Sequence, residues 1–441
     1  MPKSLDDLFR LMKGKGAVRF YAKKLAPNDN SKNQIYLGGG FSALNIIPHG
    51  SIVTDTTVMA GSVRERTKAA INFFWIDENG LHRAPEARLI LYPKYPEVRM
   101  SGFLKGSTNA PSKIMASREE GRLLFLGIGN DGSVFGYAAR SESPLAKMLA
   151  SKIGLTQIGV FLELGFVHGG GSRSELLDSL KRIYEKNWIN SQKLSRDGRC
   201  MPYAARNGGG YTLEAELGIS PNGYAEPDYL GWEIKQYSVG NFKNFRPKTP
   251  ATLFTPEPTG GIYKEDGLGE FMRQYSYPDN NGKIGRMNFG GIYVCNGSAH
   301  AKTGLKLTMS GFDEESKTIN DMRGGVALID RADRVAASWK FADLMAHWNR
   351  KHAKAAFVPS LFKSPPPQYR YGPKILLCEG TDFLLFLKAI ARGAIYLDPA
   401  LKQVTSATGQ TVFKKRKQFR MKHEGLPSVY HTTESVSLDA L

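Results

Sequence analysis

Two architectures in series are predicted from this 441-residue chain: a mostly-β, barrel-like N-terminal domain and a C-terminal half of α/β or α+β type. Three observations predict them. The length exceeds what one hydrophobic core usually serves. A glycine-rich run, His168-Gly169-Gly170-Gly171-Ser172, has the composition of a flexible link. The pattern also changes across that run, from short strand-like stretches with turn signals to helical periodicity mixed with strands. The expected domains are therefore 1–167 and 173–441, joined by a linker at 168–172.

Taken in order, the first half offers strands at Ala17–Tyr21, Gln34–Leu37, Ile71–Ile76, Arg88–Tyr92, Leu123–Ile128 and Ser133–Ala138. They are punctuated by Asn79-Gly80 and Asp131-Gly132 turns. Gly127-x-Gly129-x-x-Gly132 matches a dinucleotide fingerprint, but its Asn130-Asp131-Gly132 end is a hairpin signal with another strand behind it. In the second half, Leu176, Leu177, Leu180, Ile183 and Tyr184 set a helix over Glu175–Trp188. Further helices are expected at Tyr211–Leu217, Lys340–Lys351 and Asp382–Arg392. Strands are expected at Trp232–Gln236, Phe289–Cys295, Lys306–Met309, Gly325–Ile329 and Lys374–Cys378.

Composition narrows function. Apolar residues at 41% and aromatics at 11% exclude general disorder. No run of 18 apolar residues exists, which excludes a helical membrane span, and the N-terminus lacks the apolar segment of a secretory signal. Cys200, Cys295 and Cys378 lie too far apart for a zinc knuckle or a disulfide framework, and the cytoplasm is the expected compartment. Lys and Arg number 60 against 41 Asp and Glu, a formal charge of +19. The excess is shared: residues 1–150 hold 21 basic and 13 acidic residues. A polyanion, nucleic acid first, is the expected partner of such a surface. His347 and His352 stand five apart, where a helical metal pair prefers four, so core or surface roles are expected for them.

Chemistry concentrates in Gly210-Tyr-Thr-Leu-Glu214-Ala-Glu216-Leu-Gly218 and Glu226-Pro227-Asp228-Tyr-Leu-Gly231-Trp-Glu233-Ile-Lys235. Phosphodiester cleavage uses a divalent cation held by oxygen ligands, together with a cation that orients water and offsets developing charge. In a strand from Trp232, Glu233 and Lys235 share one face because the side-chain period is two. A bend between Pro227 and Gly231 can bring Asp228 beside Glu233. Glu214 and Glu216 flank the Leu213/Leu217 stripe of a short helix almost symmetrically, and periodicity does not choose between them.

Pro227–Lys235 resembles the PD-(D/E)xK nuclease signature, and the longer stretch resembles the MvaI/BcnI branch of type II restriction endonucleases. The resemblance rests on Thr212 and Glu214 in a helix, Pro227-Asp228, and Glu233-Ile234-Lys235. Thr252–Thr255 and the late residues Asp398 and Phe419-Arg420 extend it, so that it covers about 172–441. It implies an α/β PD-(D/E)xK nuclease domain, Asp228, Glu233 and Glu214 as ligands of Mg2+, and Lys235 as the group that positions water. It also selects Glu214 over Glu216. It implies base or phosphate contacts from Asp398, Lys415, Arg416, Lys417 and Arg420. The stretch before Phe419 is lysine- and arginine-rich where at least one family member carries histidines; these cations still suit guanine O6 and N7 or phosphates.

The first half offers a polar loop with Lys23, Lys24, Asn28, Asp29, Asn30 and Lys32, and a basic–aromatic cluster of Arg83, Arg88, Tyr92, Lys94 and Arg99. Both are compatible with DNA contact. Lys24-Leu25 with Asn28-Asp29, and Pro85–Arg88 with the arginines that follow, resemble the N-terminal effector domain of EcoRII. That domain is a pseudobarrel that clamps DNA. The joined layout is similar to enzymes that pair such an effector domain with an MvaI-like nuclease. It implies double-stranded DNA at both a cleavage and an effector site, CCWGG-like sequence as target, and an arrangement open to a monomer. It also implies a cognate methyltransferase in the same system without a stable complex, and no membrane partner. The rivals are a repair or structure-directed nicking enzyme and a non-catalytic DNA-binding regulator.

Overall fold

The computed structural model describes residues 2–27, 34–55, 66–153, 155–166, 172–195, 197–205, 207–220, 227–406 and 408–441. They fall into two compact units, Met1–Glu185 with Glu226–Glu233, and Lys186–Ala225 with Ile234–Leu441. No helix among the described residues is long and apolar enough to cross a membrane.

The first unit is mostly β. Its seven-stranded sheet runs Gln157–Ile158, Phe161–Phe166, Ala17–Lys24, Leu123–Gly129, Ser133–Ala139, Asn72–Asp77, Gly80–Arg83. Helix Leu5–Lys13 starts at a capping box, in which Ser4 and Asp7 exchange side-chain bonds with each other's backbone N–H. It buries Leu5, Leu8 and Met12 against Phe20, Phe125 and Phe135 of the sheet. A five-stranded sheet follows the order Gln34–Gly39, Glu97–Ser101, Arg88–Tyr92, Arg66–Ala70, Val53–Asp55. Among the described residues neither sheet closes on itself. The glycines at 127, 129 and 132 lie in a strand and its turn, as the hairpin signal predicts.

Arg122 is fully buried and ties the base of the polar loop to this unit. Its guanidinium donates to the carbonyls of Glu119 (2.7 Å), Ile114 (2.8 Å), Met115 (3.1 Å) and Ala26 (3.2 Å). Removing it takes the donor from all four acceptors, the one at Met115 fully buried. Arg122→Met is expected to cost about 3 kcal/mol, read as a drop in the denaturation midpoint.

The second unit is α/β. One sheet orders Ile189–Asn190, Gln368–Tyr371, Lys354–Lys363, Lys374–Glu379 and Thr432–Ser437, with Glu233–Ser238 also paired to Lys354–Lys363. Another orders Ala251–Phe254, Lys417–Met421, Ile395–Thr405, Arg286–Gly290 and Tyr277–Pro278. Helices Phe341–His352 and Phe383–Ala391 pack on them, the latter capped by Asp382, whose carboxylate accepts from Leu384 N–H. His352 is a core residue: it stacks on Trp348 at 4.3 Å and its two ring nitrogens reach Tyr430 and the Leu253 carbonyl. The strand expected over Phe289–Cys295 is corrected to Arg286–Gly290. Gly291, at φ +145, breaks the run, and only single bridges at Tyr293 and Cys295 continue it.

Candidate active site

The stretch from Pro227 to Lys235 folds as a tight hairpin. Tyr229 and Trp232 exchange both backbone hydrogen bonds, at 3.0 and 2.8 Å. The two residues between them have positive φ, Leu230 at 50° and Gly231 at 83°. Two left-handed residues in a two-residue loop make a type I′ turn, which suits a strand pair's twist. Asp228 and Glu233 are the residues immediately outside the Tyr229–Trp232 bridge.

Helix Ser172–Glu185 holds the hairpin. Trp232, fully buried, donates its indole N–H to Ser172 Oγ at 3.4 Å, and Tyr229 OH meets Ser179 Oγ at 3.0 Å. Glu233 is buried, 1% exposed, and Asp228 is half-buried. The helix begins at Ser172 rather than at the expected Glu175. Most of the expected linker, together with Glu226, lies outside the described residues.

Lys235 lies two residues beyond Glu233 on the same strand, Glu233–Ser238, and is half-buried. Within the second unit, helix Gly208–Glu216 carries Glu214 and docks closely. A Cβ at Gly208 would lie 2.5 Å from Ser191 Oγ, and one at Gly209 2.9 Å from the Gln236 side chain. Only glycine permits that approach. Thr212 Oγ1 accepts from Gln192 N–H at 3.0 Å. Glu216 is held by Lys186 and by Gln192 Nε2, each at 2.6 Å. That engagement gives Glu216 a structural task. Burial, helped by Tyr203 and Glu214, raises the Tyr211 phenol beside it. Among the described residues no group of three or more His, Cys, Asp or Glu is arranged to hold a metal ion.

The predicted DNA contacts divide. Arg88, Tyr92 and Arg99 come together on one face of the five-stranded sheet, since Arg88 pairs with Ser101, Ile90 with Arg99 and Tyr92 with Glu97. Arg99 lies over the Tyr92 ring at 5.2 Å and is held by Glu97 at 2.8 Å. Register adds Tyr36 and Lys68 to this face, two residues that no sequence motif singles out. Their signal is alternation: Tyr36 stands between the buried Ile35 and Leu37. Lys94 is exposed in the turn between two of these strands, Arg83 is exposed on the other sheet, and Lys24 is exposed at its strand's end. Asn28, Asp29, Asn30 and Lys32 lie outside the described residues.

Two expected DNA contacts are corrected. Lys23 is 4% exposed, inside a central strand covered on both sides, and its ammonium donates to the Lys24 carbonyl at 2.9 Å. Lys417 is 6% exposed; it pairs with Glu257 and donates to Tyr263 OH at 2.8 Å. Burial holds its ammonium below the ordinary lysine value, against the opposing pull of Glu257. Lys415 and Arg416, just before it, are exposed. Lys417→Met is expected to leave the salt dependence of DNA binding unchanged. Lys415→Ala and Arg416→Ala are each expected to lower its log–log slope by about 0.9 for every phosphate that the side chain neutralises. Asp398 and Arg420 are brought together as an ion pair at 2.7 Å, and Arg420 also donates to the Pro250 carbonyl at 2.8 Å.

Asp228 and Glu233 thus flank one tight turn, and Lys235 lies two residues beyond Glu233 in sequence. The family model described as the MvaI/BcnI restriction endonuclease family matches residues 177–430, more than half of the chain, and the chain belongs to that family. It is thus a type II restriction endonuclease, a DNA hydrolase. Such enzymes generally use divalent metal ions. Among solved structures, the chain is similar to a complex of restriction endonuclease MvaI with cognate DNA substrate, at 17% identity and TM-score 0.45, covering 60% of this chain and 97% of that one. It is also similar to MvaI in the absence of DNA, at 15% identity and TM-score 0.34, covering 60% and 98%. Among curated proteins no relative matches.

Proposed function

We propose that this protein is a magnesium-dependent endonuclease that cuts both strands of DNA at a CCWGG-like site, with residues 173–441 as the nuclease domain. Residues 1–167 form a pseudobarrel effector domain that binds a second copy of the site. The cytoplasm is its compartment and a methyltransferase its system partner. The observation that supports the reading is the bridged Tyr229–Trp232 turn, with Asp228 just before it, Glu233 just after it and Lys235 two residues further along the strand.

The donor set fits a hard cation. Asp228 and Glu233 offer carboxylate oxygens and no sulfur or imidazole, and magnesium takes one or two carboxylates with water completing its shell. When bound, the ion supplies positive charge at the scissile phosphate and eases ionisation of water. Asp228 and Glu233 would hold it. Lys235 donates a hydrogen bond that orients the attacking water in line with the leaving oxygen. Its fixed positive charge then offsets the charge that builds on the phosphate oxygens. The products are a 5′-phosphate and a 3′-hydroxyl. The face of Tyr36, Lys68, Arg88, Tyr92 and Arg99 supports the effector role, combining phosphate-binding cations with aromatic rings.

Run-off sequencing of magnesium-dependent digests tests the proposal. Discrete ends within CCWGG-like sequences are expected. Scattered nicks would favour a repair or structure-directed enzyme, and intact DNA bound by the protein would favour a regulator.

A further inference from the structure

Directly after the catalytic strand the chain makes a closed loop whose construction the nuclease signature does not explain. The loop leaves at Val239 and returns at Pro247, which are bridged, and Lys248 N–H donates back to the Ser238 carbonyl at 2.9 Å. Val239 N–H is itself bonded to Ser360, so the stem is anchored to the neighbouring strand. Inside, Asn241 Oδ1 accepts from the backbone of Lys243 at 2.9 Å and of Asn244 at 3.1 Å, and Asn244 Oδ1 accepts from Arg246 N–H at 3.2 Å. Phe242 and Phe245 stack at 5.8 Å, and Arg370 lies over Phe242 at 5.9 Å. Phe245 takes φ +53, a left-handed conformation that a bulky residue keeps only where its surroundings impose it.

This frame presents Lys243, Arg246 and Lys248, all exposed. Among the described residues none of the three makes an ion pair. Elsewhere on the same unit, Arg199, Arg273, Arg323 and Arg334 each pair with a nearby carboxylate. From Ile234 to Pro256 the sequence holds Lys235, Lys243, Arg246 and Lys248 and no Asp or Glu. An ordered loop with uncompensated cations is pre-shaped for an anion, since little ordering entropy remains to be lost on binding. The strand between Glu233 and the loop spans six residues, roughly 17 Å at a strand's rise per residue. That length is on the scale of a few backbone phosphates of one DNA strand.

Resting on the nuclease reading above, we infer that the loop Asn241–Lys248 is a clamp for backbone phosphates of the bound duplex that flank the cleaved one. It contributes affinity and register and takes no part in the chemical step. The cations reach the phosphates as point charges and a guanidinium fork, while the Phe242–Phe245 stack holds them in place.

The test measures duplex binding by full-length protein in buffer free of divalent cations, across a salt series, for wild type and the triple variant K243A/R246A/K248A. K317A, an exposed lysine elsewhere on this unit, is the control. Removing three phosphate-neutralising charges is expected to lower the log–log salt slope by about 2.7 and to weaken binding at least tenfold near 0.15 M salt. The magnesium-dependent cleavage rate at saturating DNA is expected to stay within about twofold, because the loop acts through uniform binding. Single K243A and R246A variants, each expected to lower the slope by about 0.9, serve if the triple variant loses its fold. A wild-type slope in variants that are folded overturns the clamp and leaves the nuclease reading standing. Failure of wild type to bind or cut duplex removes that reading and the clamp with it.

Discussion

Asp228→Asn and Lys235→Ala are each expected to lower magnesium-dependent DNA cleavage by about 10²–10³-fold or more while duplex binding survives, because each removes a charge whose work is concentrated in the transition state. Asp228 and Glu233 lie immediately outside a bridged turn, and Lys235 follows on the same strand. Asparagine keeps the size of aspartate and much of its hydrogen bonding but gives up the negative charge that holds a hard cation. Alanine at Lys235 leaves the strand intact and removes the donor that orients water. Single-turnover cleavage at saturating DNA, measured beside equilibrium binding, separates these losses from a defect in affinity. A parallel loss of binding would instead mean that the two residues support the fold or the DNA surface.

Gly231→Val should be nearly as damaging to activity by a different route. Gly231 sits at φ +83 in a turn whose other central residue, Leu230, is already left-handed at +50. A side chain there costs about 1–2 kcal/mol for the left-handed backbone alone, and a β-branched one more. The hairpin can escape that cost by changing turn type and slipping its register by one residue. A one-residue slip turns every side chain of one arm to the other face, which separates Asp228 from Glu233. Cleavage is expected to fall about 10²-fold or more, as misplacement of a catalytic group by an ångström can do. The melting temperature should drop by only a few degrees, because Trp232 and Tyr229 keep their anchors on helix Ser172–Glu185. Gly231→Asn is the discriminating companion. Asparagine tolerates the left-handed region, so it should retain most of the activity that valine loses. Equal activity in the two variants would remove the turn from the account.

Local signals make much of this legible in the sequence. Arg88–Tyr92 and Gly325–Ile329 are strands with the bounds their apolar alternation suggests. The helix between Asp382 and Arg392 has those two residues as its caps. The acid–lysine spacing is readable because strand periodicity is local, and a bend near Gly231 follows from glycine chemistry. What escapes depends on distant partners. Nothing near Lys417 in sequence announces Glu257 and Tyr263, which bury it. Lys23 reads as a loop-edge cation because no local pattern shows that its strand runs through the middle of a seven-stranded sheet. Glu214 and Glu216 are equivalent by periodicity; only the fold brings Lys186 and Gln192 to hold Glu216. The long strands Lys354–Lys363 and Ile395–Thr405 have no counterpart among the expected elements.

Calorimetric titration of calcium or manganese into the duplex-bound protein, comparing wild type with Asp228→Asn and Glu233→Gln, reaches the central claim most directly. The acid pair predicts cation binding by wild type that weakens at least about tenfold in each variant, with DNA affinity preserved. Undiminished cation binding in both variants would place the ion elsewhere and contradict the account.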